Sequence, residues 1–154
     1  MAQGSVAFED DMCIDFYLST KHSCQFILDS GASEHLVPDK TLLWNYVPFK
    51  QPQPLVTAGK GASITALGFG TLVLDAHVNG KTTRRRLPKA LVVPDASTCL
   101  ISVPVLVQRH GASCVLTPEG AKVMKGGQTV CTAGYQHHTV ALDVTPVHRP
   151  LHQA

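Results

Sequence analysis

The sequence predicts an all-β domain of short strands and tight turns, with one short helix. Three observations predict it. Apolar runs are brief and are bounded by Gly, Pro, Asn or Asp. Charged residues are 16% of the chain against 12 Gly and 10 Pro, a mix that suits turns better than a helical bundle or a disordered chain. A single stretch, 102–111, carries both a helix start and a helix stop. At 154 residues with 44% hydrophobic content, one domain with a packed core is expected.

Taken in order, residues 1–20 read as a lead-in, with a solvated Glu9-Asp10-Asp11 and a short strand over Ile14 to Leu18. Cys24-Gln25-Phe26-Ile27-Leu28 is short and apolar enough for a fully buried strand, and Asp29 to Ala32 turns the chain. Leu42 to Phe49 is aromatic-rich, and the prolines of 48–54 predict a loop. Residues 55–67 read as a hairpin whose tip holds Gly59-Lys60-Gly61. Gly68-Phe69-Gly70 punctuates the run into Thr71 to Leu74. Asn79-Gly80 is the strongest hairpin signal, because both residues tolerate positive φ. Ala90 to Val93 is a buried strand stopped by Pro94-Asp95. Ser102 is the N-cap of a helix over Val103 to His110, with Pro104 in its first turn and Gly111 closing it. Its β-branched residues make it weak alone, so it needs packing against a sheet. A turn at Pro118-Glu119-Gly120 and a hairpin at Gly126-Gly127 follow, and the tail from Thr145 is expected to fray.

Charge and cysteines narrow the function classes. A net charge of +2 demands no nucleic-acid or membrane partner. No apolar run approaches the ~20 residues of a membrane span, and the acidic N-terminus has no signal-peptide core. A cytoplasmic chain is expected. The five cysteines are odd in number and widely spaced, which argues against a disulfide framework or a four-thiolate zinc site. They read as buried small hydrophobes in a reducing compartment.

The chemistry-bearing stretch is Asp29-Ser30-Gly31-Ala32. A carboxylate ending a buried strand is costly unless it is hydrogen-bonded or paired. Ser30 offers a hydroxyl to a neighbouring backbone group, Gly31 admits a close backbone approach, and Ala32 leaves room for a substrate side chain. Alone, the tetrapeptide would be an ordinary Asx-type turn. It does not stand alone. The run Phe26-Ile27-Leu28-Asp29-Ser30-Gly31-Ala32-Ser33-Glu34-His35 resembles the opening signature of the aspartic proteases of retroviruses and retrotransposons, and most closely that of copia-type Pol polyproteins. Ala90-Leu91-Val92-Val93-Pro94 resembles the strand before the last motif of that family. Leu100-Ile101-Ser102-Val103 resembles the motif that opens its helix, and Gln108-Arg109-His110-Gly111-Ala112 the exit from it.

The resemblance implies a retropepsin-like closed β-barrel with one short helix. It places the protease domain at 21–118, between the lead-in of 1–20 and an extension or integrase-side connector at 119–154. It implies an aspartic endopeptidase that processes its own Gag-Pol polyprotein, without cofactor or metal, in the cytoplasm or inside virus-like particles. Only one Asp-Ser-Gly loop is present, Asp95-Ala96-Ser97 lacks the glycine, and the chain has no internal repeat. The second catalytic Asp29 must then come from a second copy, which makes the enzyme a C₂ homodimer. Two carboxyls about 3 Å apart share a proton, so that one activates water while the other hydrogen-bonds the scissile carbonyl. The 55–67 hairpin falls where the family has its flap, and Gly31, Ala32, Thr57, Ala58, Gly59, Lys60, Gly61 and Leu100 are the implied substrate contacts. Retroviral enzymes usually carry Gly and Arg where this chain has Ser102 and Val103, so the usual charged brace is missing.

Other features read more plainly. His35 is expected to hydrogen-bond near the loop rather than bind metal. Lys81-Thr82-Thr83-Arg84-Arg85-Arg86 reads as a solvated strand face, because no aromatics interleave to stack on nucleic acid. His137, His138, His148 and His152 lack the cysteine pair of a zinc module. Gly59-Lys60-Gly61 lacks the spacing of a phosphate loop. No nucleophile sits in a Ser- or Cys-hydrolase elbow. The alternative to the protease is a catalytically silent or domesticated copy acting as a dimeric binding module of the same fold.

Overall fold

A computed structural model of the chain describes residues 25–56 and 63–150. The strands are β1 (Phe26–Asp29), β2 (Leu36–Val37), β3 (Leu43–Val56), β4 (Ser63–Val78), β5 (Lys81–Val92), β6 (Cys99–Ser102), β7 (Ser113–Thr117), β8 (Gly120–Lys125), β9 (Gln128–Gln136), β10 (Thr139–Leu142) and β11 (Val144–Pro146). One α-helix, α1 (Val103–Gln108), follows β6, and a 3₁₀ turn (Lys40–Leu42) precedes β3. The strands join in one sheet of order β11-β4-β5-β2-β6-β1-β10-β9-β8-β7, with β3 on the free side of β4. Among the described residues the fold is thus all-β with one short helix.

The expected closed barrel is an open path in this sheet, ending on β11 and β7. The reason lies at Asp143. The residues before it ladder as β10 with β9 and β1, and those after it as β11 with β4. Asp143 itself gives its N–H to Thr132 O and receives the His77 N–H, so it bonds to both sides without forming one continuous strand.

The core is a cluster around Phe26, Val37, Leu43, Leu72, Cys99 and Ile101, all essentially inaccessible. Each large side chain so buried is worth about 1.5–3 kcal/mol. Cys131 belongs to the same cluster, and burial pushes its thiol up to about 11. A second cluster of Leu36, Ala66 and Val93 gathers Leu55, Ile64 and Leu100.

Several sequence expectations meet their reasons here. Asn79 and Gly80 turn β4 into β5 with φ of 52° and 76°, and Gly126 and Gly127 turn β8 into β9 with 59° and 77°. Residues 48–54 are strand, not loop. β3 pairs only with β4, so Pro48, Pro52 and Pro54 need no ladder on the other side, and the register shifts between Pro48 and Gln53. Gly68 and Gly70 lie inside β4 rather than ending a strand. A Cβ on Gly68 would sit 2.6 Å from Val47 O, and one on Gly70 2.9 Å from Trp44 O, so these glycines let β3 cross closely.

Residues 119–146, expected as an extension, belong to the same sheet. Ala121, Val123, Cys131 and Ala133 are buried, and Ala141 pairs with Ile27 of β1. The expected boundary at 118 falls inside the β7–β8 hairpin turn. The tail is tied down as well. Thr145 pairs with Asp75, Val147 N–H donates to Val73 O, and Trp44 Nε1–H donates to Val147 O at 2.8 Å. The strand expected at Ile14 to Leu18 lies outside the described residues.

Candidate functional site: the Asp29 loop and its brace

Phe26-Ile27-Leu28 forms β1 because its apolar side chains bury on both sides of the sheet centre, with Phe26 and Leu28 in the core. β1 runs parallel to β6, in a register that sets Asp29 beside Ser102. Asp29 is the last residue of β1 and half-buried, and the chain turns over Ser30 and Gly31. The Gly31 N–H donates to Asp29 Oδ1 at 2.8 Å. A Cβ on Gly31 would lie 3.3 Å from that oxygen, so glycine gives the carboxylate room. Gly31 thus earns its place through close approach.

Ser102 ties this loop to the helix. Its Oγ–H donates to Ala32 O at 2.6 Å and accepts the Val105 N–H at 3.1 Å as the N-cap of α1. Its own N–H donates to His35 Nδ1 at 3.0 Å. His35 is fully buried, as expected of a structural histidine. Burial, with help from the nearby His110 and Arg109 charges, pulls its pKa down to about 4, so the ring is neutral and its Nδ1 is an acceptor. The His35 and His110 rings stack, centroids 6.3 Å apart and 21° between planes. Beside them Arg109 Nη2 reaches both oxygens of Glu34 at 2.8 and 2.9 Å. The consecutive pair Glu34-His35 is therefore clasped by the consecutive pair Arg109-His110. This clasp and Ser102 join the Asp29 loop to α1.

The remaining candidates divide. Ser30 and Gly31 are exposed at the loop and Ala32 is half-buried. Leu100 packs in the second core cluster with Leu55 and Ile64, the base of the β3–β4 hairpin, so that hairpin and the β6 wall meet. The arms pair out to Val56 opposite Ser63. Thr57, Ala58, Gly59, Lys60 and Gly61 lie outside the described residues. His110 and the Glu34–Arg109 pair were not legible beforehand, because two dipeptides separated by 75 positions carry no spacing signal.

Lys81 to Arg86 are exposed on β5, with Arg84 paired to Asp75 at 3.0 Å. His137 and His138 form the β9–β10 turn with φ of 48° and 71°. Among the described residues no group of three or more His, Cys, Asp or Glu is placed to hold a metal ion, and no helix is long and apolar enough to cross a membrane.

No solved structure was found to match the chain. A family described as "Pol polyprotein, beta-barrel domain" matches residues 26–111, from the first residue of β1 to the glycine after α1. That span is more than half the chain and holds the Asp29 loop, the β3–β4 hairpin and the Ser102 N-cap together. The chain belongs to this family of retroelement Pol polyprotein domains.

Proposed function

We propose that the chain is the aspartic endopeptidase of a copia-type retroelement, acting as a homodimer on its own polyprotein. The observation that carries this reading is the Asp29 carboxylate. It ends a buried strand, is fixed by the Gly31 N–H, and remains half-exposed on a loop anchored by Ser102. Such a group is held in place yet open to a partner. Membership of a Pol polyprotein family supports a polypeptide substrate.

In the proposed reaction, two Asp29 carboxyls from two copies meet on the twofold axis and hold one proton between them. The ionised one takes a proton from a bound water as its oxygen attacks the scissile carbonyl carbon. The protonated one gives its proton to the carbonyl oxygen as charge develops there, so a tetrahedral diol forms and the pair again holds one proton. The diol then collapses. The C–N bond breaks as the nitrogen takes the proton of the pair and one diol hydroxyl returns a proton to it, and the new carboxyl terminus leaves. No bond to the enzyme forms. The β3–β4 hairpin closes over the extended peptide and excludes bulk water.

The test is cleavage of a longer precursor containing this chain, with new termini identified by mass spectrometry. The parent is expected to cut at a few discrete junctions, and the Asp29→Asn variant at none. A dimer that cuts nothing would favour the binding-module alternative, and equal cutting by both would remove Asp29 from the chemistry.

A further inference from the structure

A cavity of about 270 Å³, partly open to solvent, lies between strands of the sheet and α1. Its walls are apolar, from Leu74 and Ala76 of β4, Leu106 of α1, Val123 of β8, Leu142 of β10 and Val144 of β11. Packed interiors leave few voids larger than a water, because lining atoms without neighbours forfeit their dispersion contacts. A partly open pocket of this size with apolar walls is therefore a feature to explain.

Among the described residues the charged side chains that line it are all basic. Arg85 lies opposite Leu74 in the β4–β5 ladder, so it is on the cavity face of the sheet. Arg84 and Arg86 line the cavity as well, Arg84 held by Asp75, while Arg85 and Lys125 of β8 make no ion pair among the described residues. Both are exposed and both line the cavity, so two cations without an ion-pair partner among the described residues lie on its wall. His110 lines it too, and its Nε2 is buried with no hydrogen-bond partner. Burial, then the Lys125 and Arg109 charges, depresses the His110 pKa. Among the described residues no carboxylate lines the cavity. Asp143, beside Cys131, is already engaged by Thr132 Oγ1 at 2.6 Å.

We propose that this cavity binds an amphipathic monoanion, an unbranched alkyl chain ending in a carboxylate, with the chain inside and the head group between Arg85 and Lys125. At the ~30 Å³ that a water takes up in the liquid, the space holds roughly nine heavy atoms, which admits the seven-carbon tail of octanoate with its carboxylate at the mouth. The proposal is independent of the protease reading, since none of these residues belongs to the Asp29 loop.

The test is a titration of the ¹⁵N-labelled full chain with sodium octanoate below its micelle concentration, followed by amide shifts at Ala76, Val123 and Val144. Octan-1-ol and octylammonium serve as head-group controls. Saturable shifts at these residues are expected with octanoate. Octylammonium should bind at least about tenfold more weakly, and Arg85→Glu should cost octanoate about tenfold, since the head group loses a charge-assisted contact. Arg85 is exposed on its strand, and an unchanged spectrum far from the cavity checks that the variant folds. No shift at the cavity residues, or equal binding of octanoate and octylammonium, would overturn the proposal. So would shifts produced by an acidic peptide but not by octanoate, which would assign the cavity to a polypeptide.

Discussion

At the residue scale the account turns on Ser102. One hydroxyl caps α1 and holds the Ala32 carbonyl, so its loss removes two hydrogen bonds from one buried point. Ser102→Ala is expected to lower unfolding stability by about 1–3 kcal/mol, read from denaturant midpoints. Ser102 and Asp29 were readable from the sequence because helix start signals and the Asp-Ser-Gly turn are local. The clasp by Arg109 and His110 was not, since it depends on how α1 returns to the loop. His35 carries a pH prediction. Its folded pKa is about 4 against an ordinary 6.5, so between those values the unfolded chain binds more protons than the folded one. Stability is therefore full above about pH 6.5 and falls as pH drops toward 4, by up to about 3 kcal/mol at the linkage rate of roughly 1.4 kcal/mol per pH unit. His110 is depressed too and acts in the same direction. Urea unfolding from pH 7 to 4 should show this slope, and His35→Gln, which keeps an acceptor for the Ser102 N–H, should flatten it. A parent chain equally stable at both ends of the range would contradict the buried neutral histidine.

At the element scale the hairpins with Asn-Gly and Gly-Gly tips were legible because their turn geometry is written in two residues. Pro-rich 48–54 was misread as loop because proline forbids a central strand but not an edge, and edge position is a tertiary fact. Gly68 and Gly70 were read as punctuation for the same reason. Their role is the close crossing of β3 over β4. Gly68→Ala would drive its Cβ against backbone Val47 O, which cannot swing aside, and should cost about 1–3 kcal/mol. Gly126→Ala is a different control, because nothing lies within 4 Å of its added Cβ and only its positive φ opposes the change. Thermal denaturation of the two variants should show the larger loss at Gly68.

At the scale of the whole molecule, composition and hairpin signals were enough for an all-β chain with one helix. They did not reveal that 120–146 completes the same sheet, because Val123, Cys131 and Ala141 find their partners only across long sequence separations. The closed barrel came from resemblance, and the Asp143 break leaves the ladder open. The central claim also lives at this scale, since one chain carries one Asp29 and the proposed site needs two. The most direct measurement is a subunit-mixing experiment. Parent and Asp29→Asn chains are mixed in equal amounts, allowed to exchange subunits at fixed total concentration, and assayed for precursor cleavage. If each site is built from two Asp29 residues, only parent–parent dimers cut, and activity should fall to about one quarter of the all-parent value for random C₂ pairing. Activity of about one half would mean that each chain works alone, and would contradict the shared site.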